Sequence, residues 1–164
     1  MSTAKETDAA ISLRGVRLEN DRFVLGPISC DIPKGMVTAI VGPNGSGKST
    51  LFRALLGLEP IPSGEAEVLG TSLVGARDDG YKSRIGFLAE NPHAHENQST
   101  ADEKAIFASH WYPGWDWERY RKLMRHFDVD GGIRLAKMSK GMRRKAELAI
   151  SMAHDPELLM LDEP

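Results

Sequence analysis

The stretch Gly42-Pro43-Asn44-Gly45-Ser46-Gly47-Lys48-Ser49-Thr50 constrains this 164-residue chain more than any other. It satisfies the pattern G-x-x-x-x-G-K-S/T in full. Residues 36–41 before it, Met-Val-Thr-Ala-Ile-Val, form a short, nearly continuous apolar run. Such a run predicts a strand buried on both faces. Residues 49–58 after it read as a helix. The order is therefore strand, glycine-rich loop, helix.

That order suits one kind of chemistry. Glycines let backbone N–H groups turn inward and approach anionic oxygens with no Cβ in the way. The start of the helix adds partial positive charge at the same place. The loop is a cradle for the phosphates of a nucleoside triphosphate, with ATP and Mg2+ the expected ligands. Lys48 is placed to reach the β- and γ-phosphates, and the Ser49 hydroxyl to ligate magnesium. Thr50 is expected to bond the α-phosphate. A second motif supports the first. Residues 158–161, Leu-Leu-Met-Leu, are an apolar strand ending in Asp162 and Glu163. Asp162 is expected to hold magnesium through water, and Glu163 to polarise an attacking water as general base.

The remaining chain supplies one domain's worth of elements. Residues 1–10 are polar and expected to be a disordered tail. Residues 11–18 and 23–32 read as two strands around a turn, 65–69 as an edge strand and 84–88 as another short strand. Thr100-Ala101-Asp102-Glu103 is a capping box opening a helix towards His110. Asp116 can cap a second helix through Phe127, and Ser139 a third ending near Asp155-Pro156. A helical block over about residues 92–155 thus separates the strands from the last one.

Composition excludes several classes. Lys and Arg number 21 against 23 Asp and Glu, so nothing electrostatic points to nucleic acid. No apolar run approaches the roughly 18 residues of a membrane span, and the N-terminus lacks the apolar core of a signal peptide. Cys30 is the only cysteine; it excludes an internal disulfide and reads as a small buried apolar residue. His93 and His95 beside Glu90 and Glu96 do not make a closed metal set.

Three motifs in order resemble one family, the ATP-binding subunits of ABC transporters. They are GPNGSGKST at 42–50, Met138-Ser139-Lys140-Gly141-Met142 in the place of the family's signature LSGGQ, and LLMLDEP at 158–164. The resemblance covers nearly all of the chain after residue 11. The wording Ser-Lys-Gly-Met, with Trp111-Tyr112-Pro113 to Trp115-Asp116 upstream, is similar to a bacterial branch serving exporters of drugs and peptides. The implied fold is α/β: a P-loop NTPase core of ABC type over residues 11–164, with an N-terminal antiparallel β part and an inserted helical subdomain. The apolar strand running into two acids and a proline, then stopping, predicts that a C-terminal part is missing. In this family that part carries a subunit-contact loop and a histidine touching the γ-phosphate; His154 precedes Asp162 and does not occupy that place.

The resemblance also implies a mechanism. Two such subunits pair head to tail around two ATP molecules, and Ser139 and Gly141 would contact the γ-phosphate held by Lys48 of a second subunit. A membrane-spanning permease would hold the pair at the cytoplasmic face of the membrane. ATP hydrolysis would power export. Glu90 stands where the family has a magnesium-binding glutamine, and its carboxylate can serve as a ligand. Lys140 and Met142 depart from the signature. The adenine-stacking aromatic of the family has no match at Glu19 and Asn20, and Phe23 is the nearest ring. The crowded rings Trp111, Tyr112, Trp115 and Trp117 suit either docking to the permease or internal packing. The basic run Lys137, Lys140, Arg143, Arg144 and Lys145 reads as a solvated helix face. Two other readings stay open: a soluble non-transport ATPase of the same superfamily, and a truncated nucleotide-binding product without turnover.

Overall fold

A computed structural model describes residues 8–20, 23–75, 79–90 and 98–162. The chain divides into two compact units, Met1–Lys82 and Ser83–Pro164.

The first unit is built on a four-stranded antiparallel sheet in the order β2-β1-β3-β4. β1 is Ala9–Asn20, β2 Phe23–Pro33, β3 Ser63–Val68 and β4 Thr71–Ser72. β1 begins inside the stretch expected to be tail, with Ala10 already buried. Its apolar residues alternate as Ile11 and Leu13, then Val16 and Leu18, and all four are buried. The change of phase falls at a register shift between Leu13 and Val16, where Gly15 has φ 61°. A bulge residue with positive φ is what glycine adopts without penalty, and the extra residue keeps both halves of the strand facing one core. β3, expected at an edge, instead lies between β1 and β4. Cys30, expected to be buried, is exposed on β2, an outer strand that among the described residues has β1 as its one neighbour and so less covering of its side chains.

Residues 36–41 depart from expectation. They form no strand, and Val37 and Val41 are 101% and 89% exposed. Strand burial needs hydrogen-bonding neighbours and covering side chains. Among the described residues no segment pairs with this one. The helix after the loop, α1, is Lys48–Leu55, three residues shorter at its end than the sequence suggested. Leu51, Ala54 and Leu55 are its buried face.

The second unit joins a parallel strand pair to a helical layer. β5 (Ile85–Leu88) and β6 (Leu158–Leu161) pair in register from Ile85 with Leu158 to Leu88 with Leu161. Between them run α2 (Ala101–Ser109), α3 (Trp117–His126) and α4 (Lys140–Met152). Each helix starts where its cap predicts. Thr100 and Glu103 form both bonds of the capping box, Asp116 accepts from the amides of Glu118 and Arg119, and Ser139 accepts from Met142. These bonds satisfy amides that lack partners in the first turn. Small residues let the helices approach. Ala101, Ala105, Ala146, Ala149 and Ala153 join Tyr120, Met124, Leu135 and Ile150 in one core. α4 also comes close to β5: a Cβ on Gly86 would lie 2.3 Å from the Ser151 carbonyl oxygen. At the start of the strand pair, Arg84 grips the Glu157 carboxylate with two bonds, of 2.5 and 2.7 Å.

The aromatic cluster separates by role. Trp115 and Trp117 meet edge to face with centroids 5.4 Å apart, and both contact Tyr120 in the core. Trp111 stays 68% exposed, with its centroid 6.2 Å from that of exposed Phe107.

Candidate functional site

The phosphate loop lies in the first unit. Ser46 N–H donates to the Pro43 carbonyl at 3.2 Å, which folds the loop back on itself. Gly47 caps α1 with φ 94° and offers no side chain to the helix's first amides. No acidic residue stands in the first turn. A β-carbon at Gly47 would be strained in this conformation, and a Ser or Asp cap would occupy the amides that an anion needs. Lys48 Nζ donates to the carbonyls of Gly42 and Pro43, at 2.9 and 3.1 Å. Its ammonium thus lies across the loop, bound to weaker acceptors than phosphate oxygens. Ser49 is exposed on the same first turn, with Thr50 beside it. Glycines, uncapped amides and one tethered cation fit a polyphosphate.

The second unit carries the acids. Asp162 follows β6 and is only 7% exposed. Its N–H donates to the Leu88 carbonyl at 2.9 Å, the last rung of the β5–β6 ladder. Glu90, two residues beyond β5, is exposed. The Asp162 and Glu90 carboxylates offer oxygen donors, the kind that suits a hard ion such as Mg2+. Among the described residues no group of three or more His, Cys, Asp or Glu side chains is gathered for a metal. Glu163, His93, His95 and Glu96 lie outside the described residues, as does the Phe23 side chain.

Ser139, Lys140 and Gly141 are exposed together at the start of α4. Ser139 Oγ takes the Met142 amide at 3.2 Å. A Cβ on Gly141 would meet nothing within 4 Å. Among the described residues, packing gives no reason for glycine there.

The basic run along α4 is not one solvated face. Arg143 Nε donates to Glu147 at 3.1 Å, and Glu147 is itself 6% exposed, with Lys104 of α2 at 3.5 Å. Arg144 turns the other way and donates to main-chain carbonyls beyond β5 and β6. Sequence reasoning missed Arg144, because its partners stand 18 and 55 residues away along the chain. Helical periodicity was the one available signal, since it places positions 143 and 144 on different sides of α4.

Phosphate loop, signature-like helix start and strand-borne acid define a nucleotide-binding cassette. Residues 25–164 match the family model described as ABC transporter, and the chain belongs to that family. The Nod factor export ATP-binding protein I of Rhizobium sp. (strain N33) is 30% identical over 162 residues, covering 94% of this chain and 52% of that protein. The aliphatic sulfonates import ATP-binding protein SsuB 2 of Burkholderia cenocepacia (strain HI2424) is 33% identical over 150 residues, covering 90% and 53%. The chain thus spans about half the length of the curated relatives it matches. Among solved structures, a dimeric ATP-binding cassette in a post-hydrolysis state, bound to ADP and Pi, aligns with a TM-score of 0.78. The identity is 19%, and the alignment covers 94% of this chain and 74% of that one. The fold is that of ABC nucleotide-binding domains.

Proposed function

We propose that this chain acts as the nucleotide-binding subunit of an ABC exporter, binding ATP with magnesium and hydrolysing it. The observation that supports this most is the phosphate loop: an uncapped helix start, with Lys48 held on loop carbonyls that a phosphate would replace. In this reading the loop 42–50 binds the phosphates through its backbone N–H groups, Pro43 having none, and Lys48 neutralises their charge. Ser49 and Asp162 hold the magnesium, with Glu90 a further ligand. Magnesium held by these residues would supply neutralisation of phosphate charge. Glu163 accepts a proton from the attacking water.

Ser139 and Gly141 present the start of α4 to a γ-phosphate held by a second subunit. The open space at Gly141 among the described residues supports pairing with a second subunit, which the family resemblance makes head to tail. Export is preferred to import on the exporter-like wording around Ser139; the relatives include both export and import proteins. None of the described helices is long and apolar enough to cross a membrane. In this reading a membrane-spanning permease supplies the path and holds this subunit at the cytoplasmic face. Ile106, Phe107 and Trp111 offer it an exposed apolar surface.

The test is equilibrium binding of a fluorescent ATP analogue to the chain and to Lys48→Ala, with and without Mg2+. Saturable, magnesium-strengthened binding that the variant loses supports the reading. Equal binding by both would sink the phosphate-loop assignment. Co-purification with a polytopic membrane protein from source cells, rather than with ribosomes or DNA, tests the transport role.

A further inference from the structure

We infer that Arg144 is a positioning residue that sets the ends of β5 and β6, and through them the two acids Glu90 and Asp162. The inference rests on the functional reading above. Arg144 Nη1 donates to the carbonyl of Ala89, with that of Glu90 at 3.4 Å, and Nη2 donates to the carbonyl of Asp162 at 2.7 Å. Ala89 directly follows β5 and Asp162 directly follows β6. Among the described residues, the ladder between the strands ends with the bond from Asp162 N–H to Leu88. Past that rung the guanidinium is one fork of donors bridging the two main chains.

The planar fork matters. A guanidinium holds its N–H groups in fixed relative directions, so two carbonyls bound to one group are held at a set separation. A lysine ammonium carries its three donors on one freely rotating nitrogen, so it does not hold two carbonyls at a set separation as the fork does. The side chain is partly buried, so its bonds compete less with water than those of a surface arginine. Asp162 is 7% exposed, and its main-chain carbonyl is one of the bonded atoms. The direction of its carboxylate therefore follows where Arg144 holds its backbone.

The placement on α4 adds a connection. Arg144 stands four residues after Lys140, where the helix begins, about 6 Å along its axis. Ser139 and Gly141, expected to meet a second subunit's nucleotide, lie at that start. A helix is stiff over so short a span, so a shift of its first turn carries to both strand ends at once. Outer groups that orient metal ligands commonly contribute tenfold or more to metal affinity, and Arg144 is placed to be one.

The experiment uses Mn2+ in place of Mg2+, with its binding to the chain read by electron paramagnetic resonance in the presence of ATP. Binding of a fluorescent ATP analogue in EDTA is measured in parallel. Arg144→Ala is expected to weaken Mn2+ about tenfold while metal-free nucleotide binding stays within about twofold. Arg144→Gln, which keeps one amide donor and unfolds less readily, is expected to fall between. Arg144→Lys is expected to resemble Arg144→Gln rather than wild type. Unchanged Mn2+ affinity in Arg144→Ala and Arg144→Gln would overturn the inference. So would a parallel loss of metal and metal-free nucleotide binding, the mark of a merely structural role. A wild-type chain showing no metal-dependent nucleotide binding would overturn the functional reading, and this inference with it.

Discussion

The Tyr112 ring lies stacked on the His154 imidazole, with centroids 3.9 Å apart and planes inclined by 19°. The far side of this contact reaches the sheet. His154 Nε2–H, in the neutral tautomer that donates there, bonds the Ile85 carbonyl of β5 at 3.2 Å. His154 is 5% exposed, and burial lowers its pKa below the usual 6.5 in spite of the bond to Ile85 and nearby Asp155. The folded protein holds the ring neutral, while the unfolded chain takes up a proton near pH 6.5. Stability from this residue is thus complete above that pH. It is lost as pH falls through the lowered folded value. Urea titrations at pH 7.5 and 5.5 are expected to show a drop in midpoint that shrinks in His154→Asn. An equal drop in both would assign the acid sensitivity to other groups.

Lys48→Ala is expected to leave the fold unchanged and to weaken nucleotide binding at least tenfold. The side chain bonds only its own loop's carbonyls among the contacts described. A shift in melting temperature of more than a few degrees would give Lys48 a structural role as well.

Gly141→Ala separates stability from function. Gly141 sits in the first turn of α4, has room for a methyl group and does not have positive φ. Alanine there should raise stability by about 0.5–1 kcal/mol. If a second subunit's phosphate must approach this surface, turnover should fall although the protein melts higher. Unimpaired hydrolysis in the stabilised variant would remove Gly141 from the site.

Glu163→Gln is expected to keep ATP binding and to slow hydrolysis by about 10²–10⁴-fold, the range ascribed to a general base. Release of phosphate under single-turnover conditions measures it. Turnover near the wild-type rate would mean that another group activates the water.

Tyr120→Phe should cost about 1 kcal/mol. The hydroxyl donates to Asp102 Oδ1 at 2.8 Å, and its pKa is raised by burial and by that carboxylate. Chemical denaturation reads the loss directly. No change would mean that water replaces the phenol without cost.

What could be read from the sequence was local. Thr100, Asp116 and Ser139 were identifiable as caps because a cap bonds amides two or three residues away. The phosphate loop was legible for the same reason, since its glycines, lysine and helix start are contiguous. Residues 36–41 were misjudged because a strand's burial is decided by its neighbours, and apolar character states only a preference. The solvated-face reading of residues 137–145 failed at Arg143 and Arg144. Their partners, Glu147 and the carbonyls beyond β5 and β6, are fixed by how α4 lies on the sheet.

The exposed run at 36–41 has a practical consequence in a test tube. It is six residues long, without charge or proline, and rich in β-branched side chains, the makeup of a segment that stacks into cross-β contacts. Its main-chain groups are free of ladder bonds among the described residues. As protein is concentrated, copies should meet first through this hexapeptide, and a charge at Val37, fully open to water, should delay precipitation more than a charge placed on α3.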